Sequence, residues 1–193
     1  TGLLDTTWWV PGSQVQILPR PGNGILPPTI NVATFDGVDA MGNPYSVTDT
    51  DGPVDSLVSQ PIDLTQVPAS LQGSIYLSFF FQVKGLGNQP EPEDSLLLYF
   101  KKADGSWHKV WPLTGDIIPQ DPTIFTEKLV NVPNNADFIY DSFQFKFQAV
   151  GRQNGWFDNW NIDYIYMDKR RNASDNSYLD RSFTDLPTSI LNG

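Results

Sequence analysis

With 193 residues, 22 acidic side chains against 12 basic ones and a formal net charge of −10, the chain can bury one substantial core under a surface that repels a phosphate backbone, which argues against a nucleic-acid partner. Cysteine is absent, so disulfide staples and thiolate chemistry are excluded. No stretch approaches the roughly 20 apolar residues that cross a bilayer as a helix.

Residues 1–30 read as an arm packed on the domain. Trp8-Trp9-Val10 and Val15-Gln16-Ile17-Leu18 are apolar, and the prolines and glycines that follow break any longer element. Asn31 to Phe35 then reads as a strand entering the loop Asp36-Gly37-Val38-Asp39, and Leu57-Val58-Ser59 as a short strand. Ile75, Leu77, Phe79, Phe81 and Val83 alternate at period two and form the clearest core face, with Tyr76 and Phe80 giving the opposite face enough apolar character to need cover. Residues 96–100 and 107–111 flank Asp104-Gly105 and predict a hairpin. Residues 125–130 predict a further strand, and Phe143, Phe145, Phe147 and Ala149 another core face, with Gln144, Lys146 and Gln148 turned to water. A last long strand follows over residues 159–166. No segment has a convincing helical period, so the expected fold is an all-β, two-sheet antiparallel sandwich over residues 31–168. Residues 169–193 are expected as a tail or a junction to a further module, with Lys169-Arg170-Arg171 as a solvated strand exit and Leu179, Phe183, Leu186, Ile190 and Leu191 as anchors. Asn172-Ala173-Ser174 has the form of a sugar acceptor and is read as an unmodified loop.

The polar candidates divide into three groups. Calcium takes six to eight oxygen ligands and accepts Asp-Gly loops without histidine or cysteine, which makes Asp36, Asp39 and Asp163 candidate ligands of a structural calcium. Simple alternation puts Asp163 on one face with Ile165 and Met167; facing inward it needs hydrogen-bond donors or a cation, and facing outward it is merely solvated. Asp158 is expected to cap the turn before the last strand. Glu91-Pro92-Glu93-Asp94 contains carboxylates of the type a glycosidase uses, but the prolines fit an exposed turn, and no catalytic residue is assigned. His108 is the single histidine and is expected to face solvent. Trp107 and Trp111, two apart from Lys109 on either side, share a face of an ideal strand and can stack on sugar rings or pack against the protein.

Leu77-Ser78-Phe79-Phe80-Phe81-Gln82, Asp94-Ser95-Leu96-Leu97-Leu98-Tyr99-Phe100, Gly105-Ser106-Trp107 and Gly155-Trp156-Phe157-Asp158-Asn159-Trp160-Asn161-Ile162-Asp163 resemble jelly-roll modules of the MAM and concanavalin-like kind. More narrowly, the chain resembles modules of large secreted or surface proteins of Bacteroidota associated with gliding and type IX secretion. The resemblance implies a jelly roll used for adhesion, glycan recognition or assembly, and a calcium held by the early loop and the terminal-strand aspartate. The cysteines of animal MAM modules are missing here. The expected function is a non-catalytic interaction or assembly module of a secreted or outer-surface bacterial protein, contacting neighbouring modules or other surface proteins. A carbohydrate-binding module is the alternative, and a glycoside hydrolase a more distant one.

Overall fold

The computed structural model describes residues 6–10, 16–19, 23–117, 121, 123–175 and 178, with backbone alone for 16–19. The tail anchors expected from Leu179 onward and the Arg20–Gly22 turn lie outside them. The described strands are β1 (Gln16–Pro19), β2 (Asn31–Phe35), β3 (Asp51–Val58), β4 (Tyr76–Val83), β5 (Ser95–Lys101), β6 (Trp107–Thr114), β7 (Thr126–Asn131), β8 (Phe145–Arg152) and β9 (Trp160–Asp168). The only helical pieces among the described residues are a single 3₁₀ turn at Leu64–Gln66 and a four-residue α1 (Ala69–Gln72).

Two antiparallel sheets face each other as a jelly-roll sandwich: sheet I in the order β1-β2-β9-β4-β7 and sheet II in the order β3-β8-β5-β6. The core follows the period-two pattern. Ile75, Leu77, Phe79 and Val83 from sheet I meet Leu96, Leu98, Phe100, Phe143, Phe145 and Phe147 from the sheet II side, all buried. Phe79 sits at the centre, its ring 4.8 Å from Phe147 and 5.0 Å from Trp111 in edge-to-face contacts. Strand β3 begins at Asp51, well before the apolar run at Leu57, because a pairing irregularity between Pro53 and Ser56 hides its alternation.

The arm divides its contacts. Trp9 bridges Ser59 beside the end of β3 and packs edge-to-face on Phe145, whereas Trp8 is exposed. Strand β1 pairs with β2 at the edge of sheet I. The outer face of sheet I is covered, as Phe80 and Tyr76 required. Gln82 exchanges hydrogen bonds with the backbone of Ile25, and the Tyr178 ring lies 6.1 Å from Phe80 and 5.0 Å from Tyr164.

Two expectations about polar residues are corrected here. Arg171 is buried rather than solvated: it pairs with Asp175 at 2.8 Å, donates to Ser78 Oγ at 2.8 Å and lies over the Tyr166 ring. Gln144 is buried as well, and its amide nitrogen donates to the Ser59 carbonyl at 2.8 Å.

The connections β2–β3, β4–β5, β6–β7 and β8–β9 all lie at one pole, since strand direction alternates through both sheets. Gly37 fixes the first of these loops at φ +78°, with space for no side chain: a Cβ there would lie 2.6 Å from the Arg152 carbonyl oxygen and 2.7 Å from that of Gly155. Gly37→Ala is expected to destabilise the protein by about 2–3 kcal/mol, read as a lower urea midpoint with unchanged slope.

Candidate functional site

Strand parity decides what the outer face of sheet II presents. In β5, Leu96, Leu98 and Phe100 are fully buried, so Tyr99 and Lys101 point outward; in β8, Phe147 and Ala149 point in and Lys146 and Gln148 out. Strand β6 breaks the simple rule. Leu98 pairs with Trp111 while its neighbour Tyr99 pairs with Lys109, which leaves Val110 as an extra residue, a β-bulge. The bulge places Trp107 and Trp111 on opposite faces, correcting the expected shared platform. Trp111 is 8% exposed and packs on Phe79 and Phe81 in the core, whereas Trp107 and Lys109 remain on the outer face.

Trp107 is therefore half-exposed on the open side of the sheet, opposite Lys101. The Lys146 ammonium lies 5.0 Å from the Trp107 ring centre and 5.0 Å from that of Tyr99, and Lys101 Nζ lies 5.8 Å from Trp107. Because β5 separates β6 from β8, Trp107 and Lys146 meet across an intervening strand, with Tyr99 beneath them. Burial pushes the Lys146 pKa down from the usual lysine range. Lys101 also donates to Gln144 Oε1 at 3.0 Å. Among the described residues none of Lys101, Lys109 and Lys146 forms a salt bridge.

The expected calcium ligands do not converge. Asp36 follows Phe35, which pairs with Trp160, while Asp163 lies further along β9, beyond the Ala33–Ile162 pair. Asp39 closes an exposed turn, accepting from the backbone N–H groups of Met41 and Asn43, and these bonds hold its carboxyl below the usual range. A bulge in β9, with Tyr164 at φ +47°, turns Asp163 to the outer face of sheet I opposite Phe80 and turns Ile165 and Met167 inward. This corrects the face they were expected to share. The donors Asp163 needs come from the arm: Thr29 N–H at 2.7 Å and Thr29 Oγ1 at 2.5 Å, together with Tyr164 N–H. Burial still raises its pKa. Among the described residues no group of three or more acidic, histidine or cysteine side chains is placed to hold a metal, and the proposed trio does not fit one as a single site.

Sequence reading named Asp36, Asp94 and Asp158 in other roles and missed Asp55 and the burial that pairs these carboxylates at the loop pole. Asp55 is fully buried, accepting from Asp36 N–H at 2.6 Å and the Tyr45 hydroxyl at 2.6 Å, and desolvation pushes its pKa up to about 8. Asp36 beside it rises to about 6 for the same reason. Asp94 accepts from Glu91 N–H and adjoins Asp158; burial and then the neighbouring Asp158 carboxyl raise it to about 7. Asp158 itself accepts from Arg152 N–H at 3.0 Å, closing the β8–β9 connection as its expected capping role requires. Both pairs are buried, so neither faces an open cleft in the way a glycosidase acid and nucleophile must. Glu91 and His108 are exposed.

A cavity of about 1050 Å³ also opens between the sheets beside β9, lined by Trp9, Ile62, Leu64, Ile165 and Met167 with Asp63 and Asp168 among its polar residues. Its walls combine core side chains with polar and aromatic residues, among them Thr29, Asn31, Gln60, Asp163, Tyr164 and Tyr166. On the outer face of sheet II, Tyr99, Lys101, Trp107, Lys146 and Gln148 are half-buried and Lys109 is exposed, while Leu97 and Gln144 are buried.

No family model matches the sequence, and no curated protein matches it. Among solved structures the chain is similar to a carbohydrate-binding module, CBM28, specific for non-crystalline cellulose, at 14% identity over 83% of this chain and 86% of that one, TM-score 0.45. It is similar to a CBM4 module at 12% identity over 72% and 83%, TM-score 0.33. An arabinose-bound α-L-arabinofuranosidase shares 13% identity over 84% of this chain but only 23% of that one, TM-score 0.48. These likenesses concern the sandwich fold alone.

Proposed function

We propose that the chain is a non-catalytic glycan-binding module that takes a polysaccharide on the outer face of sheet II. The observation that carries this reading is the Trp107 ring, held half-exposed on an open sheet face beside Tyr99 and flanked by Lys101 and Lys146. Sugar rings present C–H groups that stack on an indole, while their oxygens accept from cationic donors at its margin. A secreted or cell-surface location follows with this reading, since such polymers lie outside cells.

Affinity electrophoresis through gels containing soluble plant and bacterial polysaccharides tests it. Retardation by at least one polymer is expected, with Trp107→Ala weakening it about tenfold or more while leaving the melting temperature nearly unchanged. Binding that survives Trp107→Ala intact places the site elsewhere. New reducing ends released from the bound polymer contradict the non-catalytic part.

A specific observation favours a second reading, as a protein-assembly module. Met41, Val47, Leu86, Ile117, Ile124 and Trp156 are large, exposed apolar residues, and all belong to the loops of one pole. Clustered exposure of this kind marks contact surfaces. Crosslinking in the intact producing organism distinguishes the two: a repeatable protein neighbour joined through this pole, without any glycan retardation, selects assembly.

A further inference from the structure

Resting on the glycan-binding reading, we infer that the polymer bound on sheet II is acidic, a polysaccharide of uronic-acid units, and that Lys146, whose ammonium lies over the Trp107 and Tyr99 rings, receives its carboxylates.

The chain carries a net charge of −10, yet this face is basic. Lys101, Lys109 and Lys146 occupy outward positions on adjacent strands. The one acidic residue at an outward strand position is Asp51, at the pole end of β3, where it pairs in register with Arg152 and away from the three lysines. Lys102 pairs with Asp137 and Arg152 with Asp49 and Glu91, whereas the three lysines of this face form no salt bridge among the described residues.

Two amides of the face are taken up by the protein. Gln144 donates to Ser59 and accepts from Lys101, and the Gln148 amide nitrogen donates to the carbonyls of Val54 and Asp55. The three lysine ammonium groups are charged donors of the face that form no salt bridge among the described residues. A neutral glycan offers hydroxyls that both donate and accept, whereas a carboxylate only accepts and carries the complementary charge.

Lys146 is the best placed of the three. Its ammonium is half-buried between two rings, desolvated and without a counter-ion among the described residues, so a carboxylate arriving there gains more than at a fully hydrated lysine. The Lys146 ammonium lies over both the Trp107 and the Tyr99 rings, 5.0 Å from each centre, so a uronic-acid carboxylate that contacts this aromatic pair meets the charge directly.

The test uses the whole chain in calorimetric titrations with polygalacturonate, with fully methyl-esterified polygalacturonate, with the neutral polymers xylan and mixed-linkage β-glucan, and with poly-glutamate as a charge control. Polygalacturonate is expected to bind and the ester not to. Lys146→Gln is expected to weaken binding about tenfold, the scale of one charge-assisted hydrogen bond, and added salt to weaken it further. Lys109→Gln, more exposed, should have a smaller effect in the same direction, and thermal melts confirm that both variants fold. Binding of a neutral polymer that Trp107→Ala removes and Lys146→Gln leaves untouched overturns this inference and keeps the glycan-binding reading. Binding of poly-glutamate as tight as polygalacturonate also overturns it, by reducing the site to charge alone. Absence of binding to every polysaccharide overturns both.

Discussion

Phe79→Ala is expected to destabilise the protein by about 3–5 kcal/mol, the largest effect of any single substitution considered for this chain. Phe79 is fully buried at the place where the two sheets meet, and its ring makes edge-to-face contacts with Trp111 and Phe147 and a tilted contact with Phe81. Truncation removes the transfer free energy of the ring. It also leaves a cavity bounded by residues of both sheets, which cannot collapse without bending strands whose hydrogen bonds fix their spacing. Equilibrium unfolding in urea measures the loss. Such a loss approaches the whole stability of an ordinary domain, so Phe79→Leu serves as a milder companion, expected to lose about a third as much. A Phe79→Ala variant within 1 kcal/mol, roughly, of the parent would mean that the sheets are not packed through this ring.

Stability is expected to rise as pH falls from about 8 towards 4, with the melting temperature following. Asp55, Asp94 and Asp36 have folded-state pKa values raised to about 8, about 7 and about 6, against an ordinary value of 3.8. A raised value means that the folded state holds its proton after the unfolded state has released it. The stability this supplies is complete below the unfolded value and is lost as pH rises through the folded one, a window from about pH 4 to about pH 8. Asp39, Asp63, Asp104 and Asp121 are depressed by local hydrogen bonds and act in the opposite sense, losing their contribution only below the unfolded value. Asp63, Asp104 and Asp121 are exposed and Asp39 is half-buried in an open turn, so their share is small.

Asp94→Asn isolates one contributor. An amide oxygen can still accept from Glu91 N–H, and the amide N–H₂ can donate towards Asp158 where the acid proton does. The variant is expected to melt about 5 °C higher at pH 8 and at the parent temperature near pH 4, which flattens the profile. Scanning calorimetry across that range is decisive. A melting temperature that falls on acidification from pH 8 to pH 5 would falsify the assignment of these carboxyls as buried and protonated.

The strands of this protein were legible where side chains alternate without interruption. Asn31–Phe35, the core face of β4, the inward residues of β8 and the Asp104-Gly105 hairpin all follow from local pattern, because period-two burial and turn chemistry act over a few residues. The candidate site was legible only in part. Trp107 was singled out as a ring able to stack on sugars, and it was joined to Trp111, whose ring is in the core. Lys146 drew notice only as a water-facing residue, because its meeting with Trp107 and Tyr99 depends on three strands lying side by side.

What the sequence by itself determined is the two-sheet antiparallel sandwich, the identity of most core residues and the acidic charge, all of which depend on composition and short-range periodicity. What only the tertiary structure decided is which face each side chain takes after a bulge, and which polar groups are buried. One extra residue, Val110 in β6 or the bulged residue beside Tyr164 in β9, reverses every face beyond it with little trace in the pattern. Burial of Asp55, Asp94, Asp163 and Arg171 likewise rests on partners supplied by distant segments, Tyr45, Asp158, Thr29 and Ser78 among them, whose proximity exists only once both sheets have closed.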